Sequence, residues 1–426
     1  MGGSEDAGAE PEIDEGPDDA VEDGRGAAVD ETLEEAVDDA VEAIEQREAE
    51  GRHATNLELF LDLVFVFAVT QVAGVLAGDL HWAGFGRGLL LAWLVWWLWS
   101  QFTWLGSAVD LGEGSLSQYL VLLAVPPTLL MAVALPEAYG ATGTKFAAAY
   151  LVVNLWCLAI QGRNTWADPA ARSAWLQYLP LAALAPLALF AGSFLDGDAR
   201  VAVWALVALF NVGSALAAGR QDEAGGREWS IEPTHFAERH ALFVIISLGE
   251  VLVAVGAAAA DVDLTTTIGA GLVAAVGLAC VFWWAYFAYI PGVVEGCLAA
   301  AAPRDRGRVA RDLFTFGHFP VVFGLVLYAV VAKHAVAHPT EVLGTADLVA
   351  LAGSVAFFVG GLATLQWQCV RRISRERSAV VVVVALICAI VGPRVDAAVI
   401  VTVVGLAVAA QQIVTYRSFR RASMTP

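Results

Sequence analysis

Residues 58–71 read ELFLDLVFVFAVTQ. The stretch is apolar and helical in pattern, with two carboxylates, Glu58 and Asp62, one turn apart at its start. An acid inside hydrocarbon costs at least ~2.5 kcal/mol, so it marks a site, a path or a partner. The stretch therefore places the chain in a membrane and points to where its chemistry lies. It does not name a substrate.

Composition agrees. Of the 426 residues, 58% are hydrophobic and 16% are charged, against roughly 25% charged in a soluble domain. The net charge of −20 is not spread evenly. Residues 1–51 hold 20 of the 44 acids and 2 of the 24 bases, a net of −18. This segment is expected to be a disordered cytoplasmic tail. A short acidic helix is expected over 31–50, where Leu33, Val37, Val41 and Ile44 recur at helical spacing. It reads either as a docking segment or as a solvated tail. No apolar core occurs in the first 50 residues, so no cleavable signal peptide is expected. The five cysteines, Cys157, Cys280, Cys297, Cys369 and Cys388, form no CxxC pair and read as thiols in apolar runs.

Twelve apolar runs follow, near 57–77, 83–105, 116–135, 146–161, 176–195, 199–217, 236–258, 266–290, 315–337, 347–368, 378–392 and 396–415. The fourth and eleventh are short for a ~20-residue crossing. The expected fold is an all-α polytopic bundle of about twelve transmembrane helices. Arg and Lys placement supports the count. With loops numbered alternately, 19 bases fall on one side and 5 on the other, which assigns both termini to the cytoplasm of a multi-pass cytoplasmic-membrane protein.

The seventh run opens HFAERHALFVIISLGE, residues 235–250. Like the first, it carries an acid at the membrane edge, Glu238, and another acid in the same run, Glu250. The second run holds Trp93, Trp96, Trp97, Trp99 and Trp104; the eighth holds Trp283, Trp284, Tyr286 and Phe287. The echo suggests a six-plus-six repeat, with a first half at 52–217, a cytoplasmic linker at 218–235, a second half at 236–416 and a basic C-terminus at 417–426. In transporters with such repeats the site lies between them.

The candidate ion- or solute-binding residues are Glu58, Asp62, Glu238, Arg239, Glu250 and His318. On one reading they line a polar cavity that carries protons, monovalent cations or a small solute, with His318 exchanging protons. On the other, Asp62 or Glu58 pairs with Arg239 as an internal salt bridge. Trp97, Trp104, Trp284 and Tyr286 are candidate aromatic lining residues, or helix-packing residues. Pro126 and Pro127 break backbone hydrogen bonding within the third run, so a kink is expected there, with freed carbonyls in need of partners. Asp110 and Glu113 are expected in a solvated loop. The pattern His235-x-x-Glu238-x-His240 lacks the HExxH order, and Arg239 in its middle opposes a cation, so no metal is expected. No cofactor, catalytic residue or nucleic-acid contact is indicated, and no nucleophile–base pair stands out. The oligomeric state is not legible.

These motifs, together with WSQFTWLGSAVD at 99–110, FWWAYF at 282–287 and GHFPVVFGLVLY at 317–328, resemble the low temperature requirement protein A family. The resemblance runs from about Arg52 to the last apolar run. It implies an integral membrane protein linked by name to growth in the cold and supplies no binding or catalytic residues. Three functions follow as expectations: a transporter or channel-like protein, a non-transporting membrane-homeostasis or scaffold protein, or an intramembrane lipid-modifying enzyme.

Overall fold

The computed structural model describes residues 53–109, 111–112, 114–225, 231–372 and 374–423. The acidic tail, with the helix expected over 31–50, Asp110 and Glu113, and residues 226–230 of the linker lie outside the described residues. Among those described there are helices and no strands.

Among the described residues, twelve helical segments are long and apolar enough to cross a bilayer. Spans 1 to 6 are Asn56–Gly78, Trp82–Ala108, Leu116–Ala134, Gly143–Thr165, Pro169–Gly192 and Gly197–Ala217. Spans 7 to 12 are Pro233–Ala260, Thr266–Ala299, Pro303–Ala337, Thr345–Val370, Arg375–Arg394 and Ala397–Arg417. The two runs expected to be short reach 23 and 20 residues. Polar residues at their ends, such as Thr144 and Gln161 in span 4, continue the helix beyond the apolar stretch. Leucines and valines such as Leu206, Val253, Val273 and Leu406 project outward. They form the surface that meets lipid.

Three spans are interrupted. Span 3 breaks at Leu123–Ala124, just before Pro126 and Pro127 enter the first turn of the next helix. The freed Leu120 carbonyl accepts the Trp156 indole N–H at 2.7 Å. Span 8 breaks at Ala288–Tyr289, ahead of Pro291. Span 9 starts twelve residues before the expected position, at Pro303, and contains a π-helical turn over Arg311–Phe316. It is the most enclosed span, with 83% of its apolar window buried. Such π turns widen a helix locally and redirect its side chains.

The packing order matters for the site. Span 1 packs on spans 2 and 3, span 2 on 4 and 6, span 3 on 4, span 4 on 5, and span 5 on 6. Span 7 packs on 8 and 9, span 8 on 10 and 12, span 9 on 10, span 10 on 11, and span 11 on 12. The two sets meet where span 1 touches spans 7 and 9, span 2 touches the same pair, and span 6 touches span 9.

Candidate functional site

Span 1 opens with a capping box. The Thr55 hydroxyl accepts the Glu58 N–H at 3.3 Å, and Glu58 Oε2 accepts the Thr55 N–H at 2.9 Å. This folds the Glu58 side chain back over the helix start. Its other oxygen, Oε1, lies 3.0 Å from His235 Nε2 on span 7. On the far side of that imidazole, Nδ1 lies 3.3 Å from the Ser107 hydroxyl on span 2. Gly106 makes the approach possible. A Cβ there would overlap Glu58 Oε1 and touch the His235 ring.

One turn deeper, Arg239 Nη2 donates to Asp62 Oδ1 at 2.8 Å. The same oxygen accepts the Trp99 indole N–H at 2.8 Å. Arg239 Nη1 sits 3.6 Å from Glu58 Oε1, so the guanidinium bridges both carboxylates. Its central carbon also lies 5.9 Å from the Trp99 ring centre. Asp62 and Arg239 are fully buried, and Glu58 and His235 nearly so. Such a pair is held by geometry and extra hydrogen bonds as much as by attraction, because both charges have lost their water. With His235 neutral the two carboxylates and one guanidinium leave a net −1, and one proton on the Glu58–His235 pair cancels it.

A ring cluster adjoins the charges. His240 lies 4.9 Å from Trp99 and 5.1 Å from His318, centre to centre. His318 Nε2 is 2.9 Å from the Tyr286 hydroxyl, and its Nδ1 is 2.9 Å from the Leu313 carbonyl in the π turn. That carbonyl gives Nδ1 an acceptor, which fixes the proton there and leaves Nε2 to accept from Tyr286. The π turn also supplies Thr315, whose carbonyl accepts from Trp96 at 2.7 Å and whose hydroxyl accepts from Trp104 at 3.1 Å.

Glu250 lies apart from these charges, about 18 Å along span 7 from Glu238. It is buried and accepts a hydrogen bond from Thr70 of span 1. Among the described residues no base lies within ion-pairing distance of it. Glu238 faces outward instead, accepting the Ala54 N–H at 2.8 Å beside His53. The contacts Glu58–His235 and Asp62–Arg239 join residues 177 apart in sequence, and Thr70–Glu250 joins residues 180 apart. This near-constant offset means that spans 1 and 7 run parallel at matching depth.

The structure thus brings Glu58, Asp62 and Arg239 together, sets His318 beside them through His240, and holds Glu238 and Glu250 separately. Among the aromatic candidates, Trp97 lines a cavity with spans 4, 5 and 6. Trp104 and Tyr286 bond into span 9, and Trp284 packs against Tyr416. Sequence reading missed His235, Trp99 and Ser107 as members of the junction. The pattern around His235 is visible in the sequence, yet its three polar residues turn to three different partners: Glu58, His53 and the Phe236 carbonyl. A second cavity, about 20 Å³, is walled by Val69, Trp96, Phe243 and Phe319 and is apolar. No carboxylate lines either cavity.

The twelve spans and the ion-paired junction define a polytopic α-helical membrane protein. The chain belongs to the bacterial low temperature requirement A protein (LtrA) family, whose profile matches residues 53–410. It is 30% identical over 326 residues to an uncharacterised protein of Rhizobium meliloti (strain 1021), covering 74% of this chain and 78% of that protein. No solved structure matches the chain.

Proposed function

We propose that the protein is a proton- or cation-coupled membrane transporter of the cytoplasmic membrane, with both termini cytoplasmic. It is built from two six-span halves, 52–217 and 236–416. The matched packing orders of spans 1–6 and 7–12 support the halves. Parallel first helices at equal depth fit a pseudo-axis normal to the membrane. The observation that carries the reading is the junction itself. Spans 1 and 7, the first helix of each half, meet through two carboxylates, one guanidinium and one imidazole, all buried. This cluster sets two carboxylates against one guanidinium, so one negative charge is left over while the imidazole is neutral. Taking up one proton neutralises it and loosens the hold of Arg239 on Glu58. Glu250 with Thr70 is the second proton- or cation-binding group, deeper along the same interface.

The test is proton movement in proteoliposomes under an imposed pH gradient, with sodium and potassium supplied in turn. Wild-type protein should collapse the gradient faster than empty vesicles. Asp62→Asn and Glu250→Gln, each checked for a monodisperse folded state, should slow it tenfold or more. Equal rates in wild type, variants and empty vesicles reject the reading.

One observation favours a second reading, a non-transporting membrane-homeostasis or scaffold protein. Asp62 and Arg239 are fully buried and in direct contact, and neither cavity reaches them. On that reading the same substitutions lower the unfolding temperature and leave every gradient untouched.

A further inference from the structure

Away from the carboxylates, spans 2, 4, 5 and 6 enclose a cavity of about 30 Å³. At roughly 10–15 Å³ for one water, it holds two or three waters or a solute of a few heavy atoms. Its polar lining comes from Gln101, Tyr150, Asn154, Tyr178, Asn211 and Ser214. None of its lining residues is an acid or a base. In a membrane bundle, three carboxamides converging on one hollow have no packing rationale, because each must find hydrogen bonds in a medium that offers none.

Two hydrogen-bonding groups at the cavity wall stand out, one side-chain donor and one backbone acceptor. Asn211 is 2% exposed, and its Nδ2 has no hydrogen-bond partner. An unmet buried donor is destabilising, so it calls for an acceptor from outside the protein. Span 5 supplies the opposite need. Pro186 stands inside its helix and has no N–H, so the Ala182 carbonyl four residues earlier loses its helical donor. Both Ala182 and Pro186 line the cavity. Some groups are already engaged: Asn154 donates to the Tyr150 carbonyl at 2.8 Å, and Ser214 to the Asn211 carbonyl at 3.0 Å. Tyr178 and Leu181 form the part of the lining that is exposed on the outer side of span 5.

We infer that this cavity is a binding site for a small uncharged solute that both donates and accepts hydrogen bonds, of the polyol or simple amide class. The Asn211 amide donates to the solute, and the Ala182 carbonyl accepts from it. A fixed ion is disfavoured on the same grounds. No opposite charge lines the wall, and the unmet Asn211 donor repels a cation. The ring faces of Trp97 and Phe210 provide an apolar wall for the carbon skeleton. The site goes beyond the proton coupling proposed above and does not depend on it.

The full chain in lipid nanodiscs, with no gradient, is dialysed to equilibrium against radiolabelled glycerol, radiolabelled acetamide and sodium-22. Glycerol or acetamide should bind saturably at one per chain, and sodium should not. Asn211→Leu removes the unmet donor at similar volume. Ala182→Leu fills the cavity while leaving every polar side chain of its wall in place. Each should weaken binding tenfold or more. Saturable sodium binding, absence of saturable neutral binding, or wild-type affinity in either folded variant overturns the inference. Because binding is read without flux, its failure and the failure of proton coupling are separate results.

Discussion

Span 2 separates two interiors of opposite character. Toward span 7 it turns Trp96 and Trp99, and Trp99 bonds to an ion-paired aspartate. Toward spans 4, 5 and 6 it turns Trp97 and Gln101, four residues apart on one stripe, into a hollow without charge. The charged side is filled: guanidinium, carboxylates, imidazole and indole occupy it, and the neighbouring cavity is apolar. The neutral side keeps open space and an unmet amide. A bilayer tolerates buried charge where the same chain supplies the opposite charge in contact, because an uncompensated buried charge is costly. Neutral hydrogen-bonding groups carry a smaller cost, so they can wait for a visitor.

The largest expected effect lies at the junction. Arg239→Met leaves Asp62 and Glu58 facing each other without a counter-ion. Removing one partner of a buried pair costs ~3–5 kcal/mol. Adding Asp62→Leu should recover most of that loss, because the fully buried carboxylate is then gone and Glu58 keeps His235. Unfolding in detergent micelles, read as a double-mutant cycle, measures it. Additive losses in the double variant would show that the two side chains do not act as a pair.

Trp99→Phe comes next. It keeps an aromatic ring beside Arg239 and removes the N–H given to Asp62 Oδ1 along with part of the indole, a truncation that the parallel change at Trp97 controls for. A hydrogen bond to a charged group contributes about 1.5–3 kcal/mol, and the same unfolding assay should register it. The parallel change Trp97→Phe on the cavity side should cost less, since Trp97 touches no charge among the described residues. Reversal of that order would break the contrast between the two faces. Gly106→Ala is expected to follow, at about 1–3 kcal/mol for crowding a packed position. Its added methyl displaces Glu58 Oε1 from His235. A second change, Glu58→Ala, should relieve the crowding. A Gly106→Ala loss that persists unchanged in a Glu58→Ala background would place the clash elsewhere.

Much of this frame is written in the chain. Apolar runs give the twelve crossings, because hydrocarbon thickness sets their length. Glu58, Asp62 and Arg239 stand out because charge in an apolar run is rare. The Asp62–Arg239 pairing is one of two alternatives that the sequence leaves open, and the two side chains lie 2.8 Å apart. What stays hidden is lateral. Helical spacing tells which residues share a face, and it does not tell which helix that face meets. His235 and Ser107 join the junction only because spans 2 and 7 both pack on span 1. Asn154 and Asn211 are isolated asparagines in separate apolar runs, 57 positions apart in the sequence. Only the placement of spans 4 and 6 brings both to one cavity. The π turn is likewise invisible beforehand, since its wider hydrogen bonding leaves no periodic trace in RDLFTF.

The smallest expected effect tests the neutral side most directly. Asn211→Leu exchanges a buried amide with an unmet donor for an apolar side chain of similar volume. Deleting an unsatisfied group can be neutral or stabilising. Without added solute, the unfolding temperature should therefore hold or rise slightly. With saturating glycerol or acetamide, wild-type protein should gain stability by linkage, about 2.7 kcal/mol at a hundredfold excess over the dissociation constant. The variant should gain far less. The two proteins would then exchange rank as solute is added, which a purely structural asparagine does not predict. A wild-type protein that is more stable than the variant at every solute concentration, with no change in the gap, would mean that Asn211 serves packing alone.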